Sequence, residues 1–132
     1  MKLKILKKTP TIYGSLKDGL ESIIPVLREH DELALPGTLG NLAEVYHKIG
    51  DYDAAFKTGI EGLELAKKLK KRFTIGWISI NLANVESARG NYQSALFFAR
   101  QALEFFERTR LFRKEIERLK LLIKELQEKL AV

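Results

Sequence analysis

The sequence predicts an all-α fold, a short solenoid of about six helices packed as antiparallel hairpins, and three observations predict it. One pattern occurs twice at a distance of forty residues: Asn41-Leu42-Ala43 recurs as Asn81-Leu82-Ala83, Gly50-Asp51-Tyr52 as Gly90-Asn91-Tyr92, and Leu63-Glu64 as Leu103-Glu104. Aligning 41–70 with 81–110 gives nine identities in thirty pairs, where average composition would give about two. A fixed period of this size belongs to stacked supersecondary units. Apolar residues also recur every three or four positions along most of the chain, the period of a helix face. Strand-like alternation and Asn-Gly hairpin turns do not occur.

The elements follow in order. From Tyr13 the apolar positions Leu16, Leu20, Ile23, Ile24 and Leu27 trace a first helix. Pro25 lacks the amide that the backbone ladder needs, so this helix is expected to kink or end early. Pro36-Gly37 reads as a connection or as the first turn of the next helix. That helix carries Leu39, Leu42, Val45, Tyr46 and Ile49 on one face, and Gly50 stops it. Asp51 then stands where it can cap a helix running to about Lys70.

This second helix of the first copy bears a stripe of small residues, Ala55, Gly59, Gly62 and Ala66, echoed by Ala95, Ala99 and Ala102. Glycine inside a helix costs on the order of 1 kcal/mol relative to alanine, so the stripe calls for a closely approaching neighbour. A second hairpin spans roughly 73–89 and 91–108. The last segment, 111–130, places Phe112, Ile116, Leu119, Ile123, Leu126 and Leu130 at spacings of 4, 3, 4, 3 and 4. Such a seam could pair two chains. The preferred reading is a terminal helix covering the second repeat, with Leu121 and Leu122 widening its apolar face.

Bulk properties narrow the class. Hydrophobic residues make up 45% and charged residues 30% of 132 positions, the balance of one folded domain. The chain has no cysteine, which removes disulfides, thiolate metal sites and a cysteine nucleophile. No apolar run approaches membrane-spanning length. The start, with Lys2, Lys4, Lys7 and Lys8, lacks the apolar core of a secretory signal, so a cytoplasmic location is expected. One methionine and three glutamines among many Lys, Glu and Arg residues would suit a thermophile.

Net charge is +6, and the excess clusters at Lys67, Lys68, Lys70, Lys71 and Arg72 and again at Arg110 and Arg113. Cations in the last turn of a helix complement its dipole. The same residues could also form a basic edge for an acidic partner or nucleic acid, because both connections fall on one side of a hairpin stack.

These residues resemble the tetratricopeptide repeat. The first copy reads Leu42-Ala43-x-x-Tyr46, Gly50-x-Tyr52-x-x-Ala55 and Gly62-Leu63; the second reads Leu82-Ala83-x-x-Glu86, Gly90-x-Tyr92-x-x-Ala95 and Ala102-Leu103. The forty-residue spacing is similar to a long-period variety of that repeat. Glu86 stands where the family has an aromatic residue, and Ser79 where it often has a large apolar one. Tyr13 matches Tyr52 and Tyr92, so the first helix resembles only the second half of a repeat. The resemblance implies a right-handed solenoid in one domain, 1–132: a half repeat at 13–34, repeats at 35–72 and 73–110, and a capping helix at 111–132.

It also implies an interaction module whose first helices line a concave groove. Carried over by position, the groove residues are Asn41, Glu44 and Lys48 in one helix and Trp77, Asn81 and Asn84 in the next, with His47 beside them. An exposed mid-helix asparagine is a mediocre helix former, yet its amide both donates and accepts and can grip a peptide backbone. Duplication alone, or bonding to a neighbouring helix, would also account for the pair. Trp77, the only tryptophan, is either an anchor for a partner or half-buried core, with core preferred.

Catalytic chemistry has little to work with. Glu44-x-x-His47 has the spacing of two helical metal ligands, but a di-metal bundle needs more such groups, and a surface pair is expected. No nucleophile elbow, phosphate loop or zinc motif occurs. The expected function is therefore a non-enzymatic scaffold that binds a peptide or protein helix, with no cofactor, no metal and no membrane. Nucleic acid binding through the basic edge is the less favoured alternative. Homodimerisation through the heptad helix, or through an uncapped repeat face, is the third.

Overall fold

The computed structural model describes residues 11–132. Among these residues six helices follow one another: α1 Thr11–His30, α2 Leu35–Ile49, α3 Tyr52–Lys68, α4 Arg72–Ala88, α5 Tyr92–Thr109 and α6 Arg113–Leu130. The lysine-rich start, with Lys2, Lys4, Lys7 and Lys8, lies outside the described residues. Each helix packs on its successor, and α2 also touches α4 directly. The result is a stack of antiparallel hairpins, α2/α3 and α4/α5, with α1 and α6 at its two ends.

The turns repeat a single backbone device. The amide of Asp51 donates to the carbonyl of Tyr46 at 2.9 Å, that of Lys71 to Ala66 at 2.9 Å and that of Asn91 to Glu86 at 2.8 Å. This six-to-one bond closes a helix only when the preceding residue is left-handed. Gly50 and Gly90 supply that conformation at φ 93° and 80°, and Lys70 does so at 57°. Asp51 then caps α3, its carboxylate accepting from the Ala54 amide at 3.2 Å.

Packing between the hairpins depends on missing side chains. A Cβ on Gly62 would lie 3.1 Å from both Ile78 Cδ1 and Leu39 Cβ, and one on Gly40 would lie 3.0 Å from Ile78 Cγ1. Ile78 of α4 thus fills a notch between α2 and α3 and is 2% exposed. Gly59 performs the same service for Leu82. The small residues expected to admit a neighbouring helix do so.

Two alternatives left open by the sequence are narrowed. Pro25 neither ends α1 nor is buried: the helix continues to His30 with Pro25 on its exposed side. Leu20, Ile24 and Leu27, before and after the proline, pack onto Leu35, Leu39 and Leu42 of α2, so tertiary contact holds both halves of the helix. The heptad seam of α6 faces the stack. Leu119 and Leu126 are buried, and Phe112, Ile116 and Ile123 pack partly buried against the core. The covering role is the one observed, and the seam is not free to pair two chains. Leu122 widens the buried face, whereas Leu121 points outward at 58% exposure.

The two departures from the repeat pattern are accommodated locally. Ser79 is buried and its hydroxyl donates to the Ile75 carbonyl at 2.7 Å. Glu86 is 3% exposed and accepts from Arg89 Nη1 at 2.8 Å and Asn91 Nδ2 at 3.3 Å. Arg89 also lies over the Phe56 ring. Tyr46, at the corresponding position of the first copy, donates instead to the Glu21 carboxylate of α1.

Candidate functional site

Helices α2 and α4 lie side by side, and the faces they turn away from the core enclose a depression of about 490 Å³. Five of the six groove residues line it: Asn41 and Glu44 from α2, and Trp77, Asn81 and Asn84 from α4. Lys48, one turn beyond Glu44, is exposed outside it. Asn81 follows Ile78 by three residues on α4, so the Ile78 notch that locks the hairpins together also sets the asparagine's height. Among the described residues, no hydrogen bond engages the side-chain amides of Asn41, Asn81 or Asn84. The Asn91 amide, by contrast, is held by Glu86.

Trp77 belongs to both core and groove. Its ring meets Phe106 at 5.2 Å and Phe112 at 5.8 Å, both edge to face, yet it remains 41% exposed. Packing fixes one side of the indole, and the other side faces the depression. A rigid aromatic presented this way loses little entropy when a partner covers it.

The groove does not stop at α4. A second depression of about 240 Å³ opens between α4 and α6, sharing Trp77, Ile80 and Asn84 with the first and adding Glu115, Arg118, Leu119 and Leu122. Sequence reasoning treated the last helix as a cover and missed these residues. The signal was Leu122, which sits off the heptad seam and carries the apolar face of α6 round to the side of α4.

His47 lies beside the groove rather than in it. It is half-buried with its ring 5.6 Å from Tyr52. Burial, then the neighbouring Lys48 charge, pulls its pKa below the usual histidine value against a smaller pull from Glu44. Among the described residues there is no group of three or more His, Asp or Glu side chains arranged to hold a metal. No described helix is long and apolar enough to cross a membrane.

The basic residues share one end of the stack but not one surface. Lys67 and Arg72 line a cleft with Arg108 and Glu104. Lys68 lies 3.8 Å from Glu32, in another depression with Arg28, Glu61 and Glu64. Arg110 and Arg113 share a third with Glu107, Glu117 and Lys120. Lys70 is exposed at its turn, and Lys71 is the half-buried residue that precedes α4. Each of the three depressions also holds at least one carboxylate.

No curated protein matches the chain. The family described as tetratricopeptide repeat matches residues 35–108, which takes in the α2/α3 and α4/α5 hairpins and more than half of the sequence. With the paired hairpins, the left-handed turns at Gly50 and Gly90 and the buried small-residue stripes already in place, that match is decisive: this chain belongs to the tetratricopeptide repeat family.

Proposed function

We propose that this protein is a non-enzymatic adaptor that takes a peptide or helix of a partner protein in the groove formed by α2, α4 and α6. Tetratricopeptide repeats generally mediate protein–protein contacts. The observation that carries the groove reading is the convergence of Asn41, Asn81 and Asn84 on one depression, with unengaged amides, beside a tryptophan pinned from behind. Amides of this kind match the alternating donors and acceptors of a peptide backbone. Trp77 and Ile80 supply the apolar contact that such a partner would cover.

The groove also argues against the basic edge as the main surface. Binding along a phosphate backbone needs a run of cations that displaces counterions together. Here the cations are divided among three depressions, each with at least one carboxylate.

The test is capture from the source cell with the intact chain and with the Asn41→Ala/Asn81→Ala variant, read by quantitative mass spectrometry. A partner enriched by the parent and lost by the variant, with the helical content unchanged, supports the groove. Equal capture by both would remove it.

A further inference from the structure

The cleft between the end of α3, the start of α4 and the later turns of α5 shares no residue with the groove. It encloses about 480 Å³. Three cations, Lys67, Arg72 and Arg108, line it with one carboxylate, Glu104. Arg108 Nη2 binds that carboxylate at 2.8 Å, which leaves Lys67 and Arg72 as a surplus of positive charge. Among the described residues neither has a carboxylate within ion-pair distance. The other two basic depressions are closer to balance. Arg28 and Lys68 share theirs with Glu32, Glu61 and Glu64, and Arg110, Arg113 and Lys120 share theirs with Glu107 and Glu117.

Local chemistry accounts for only one of the two surplus cations. Lys67 stands in the last turn of α3, where a positive charge complements the helix dipole. Arg72 opens α4, at the positive end, with no acidic residue in the first turn and no side-chain cap. A cation there is disfavoured unless an anion joins it. Gln101 of α5 lines the same cleft. Its Oε1 is buried without a hydrogen-bond partner, alone among the described side-chain atoms. A buried acceptor in that state calls for a donor. Ile75 and Phe105 add an apolar wall, and the Phe105 ring is held edge to face by Phe73 and Phe106.

We propose that this cleft binds a small organic phosphate monoester. Its phosphoryl group sits among Lys67, Arg72 and Arg108, and a hydroxyl or N–H of the same molecule donates to Gln101 Oε1. A phosphomonoester carries about −1.5 to −2 charges near pH 7, which matches the two unpaired cations. A lone carboxylate would leave one of them over. Arg108 keeps guanidinium donors beyond the one given to Glu104. The organic part of the ligand lies along Ile75 and Phe105. A cleft of this volume suits a molecule of that size. Confinement of the surplus to one cleft disfavours a polyanion, which needs cations in a run.

Isothermal titration of the full chain at about 0.02 M ionic strength tests this with inorganic phosphate, adenosine monophosphate and a phosphoserine peptide. The nucleotide is expected to bind with a Kd of about 1 mM or tighter, and inorganic phosphate at least about tenfold more weakly. Lys67→Glu/Arg72→Glu, at exposed positions, should abolish both with helical content unchanged. Gln101→Leu should remove most of the nucleotide's advantage over inorganic phosphate and leave phosphate binding as it was. Gln101→Met serves if leucine lowers the helical content. No saturable heat with any probe, equal binding by the charge variant, or equal binding of phosphate and nucleotide overturns the proposal. Tighter binding of the phosphoserine peptide than of the nucleotide overturns the small-molecule assignment. An unchanged preference in the Gln101 variants overturns the role of that amide.

Discussion

A side chain added to Gly59 would place its Cβ 2.8 Å from Cδ2 of Leu82, a residue only 1% exposed. With Gly62, that absence lets α3 of one hairpin lie against α4 of the next, and α4 carries half of the groove. Gly59→Ala is expected to lower stability by about 1–3 kcal/mol, the usual range for overpacking. Gly14→Ala, where a Cβ meets nothing within 4 Å, should raise it by roughly 0.5–1 kcal/mol. Chemical denaturation of the two variants checks both signs.

Gly76 is the more severe case. Its missing Cβ would fall 2.5 Å from Cδ2 of Phe105, whose ring is wedged between Phe73 and Phe106 at 5.6 and 5.1 Å. The aromatic cluster leaves that ring no easy retreat. Gly76→Ala should cost more than Gly59→Ala in the same denaturation series, and it should perturb Trp77 emission because Phe106 is shared.

The buried carboxylate of Glu86 is held by Arg89 and Asn91. Removing the partner is worse than never having the pair, since a buried charge is then left without compensation. Arg89→Ala is therefore expected to cost on the order of 3 kcal/mol. Glu86→Tyr, which restores the residue type of Tyr46, is the informative partner variant. It should recover much of the loss in an Arg89→Ala background, as a double-mutant cycle would show.

Tyr46 gives the fold a signature at high pH. Burial first, then its bond to Glu21 and the nearby carboxylates, pushes the phenol from its ordinary 10 up to about 12. A folded value above the unfolded one means the neutral phenol is favoured by folding. The contribution is fully present below pH 10 and is lost as pH rises through about 12. Stability should fall across that window in the parent and fall less in Tyr46→Phe, with parallel pH–denaturation curves as the measurement.

Much of this architecture could be read from residues. The duplicated Asn-Leu-Ala and Gly-x-Tyr segments located the hairpins, Gly50 and Asp51 marked a helix stop and start, and Gly59 and Gly62 announced close packing. Other features left no mark. Lys70 takes the left-handed role of Gly50 because the bond that closes its turn is made by backbone groups alone. Pro25 does not end α1 because the local ladder loss is outweighed by Leu20, Ile24 and Leu27 packing on α2. The pairing of Gly76 with Phe105 joins residues of different helices and belongs to no repeating stripe. Of the groove, the α2 and α4 residues followed from repeat position, while Glu115, Arg118 and Leu122 depended on where α6 docks.

The most direct measurement uses Trp77, the only tryptophan, as its own reporter. A peptide selected from a random displayed library against the intact chain is titrated while indole emission is followed. The titration is repeated with Asn41→Ala/Asn81→Ala and with Lys67→Glu/Arg72→Glu. Loss of two amide contacts predicts a Kd at least about tenfold weaker in the asparagine variant, and a Kd unchanged in the charge variant. An unchanged Kd in the asparagine variant, or a loss confined to the charge variant, would contradict the groove.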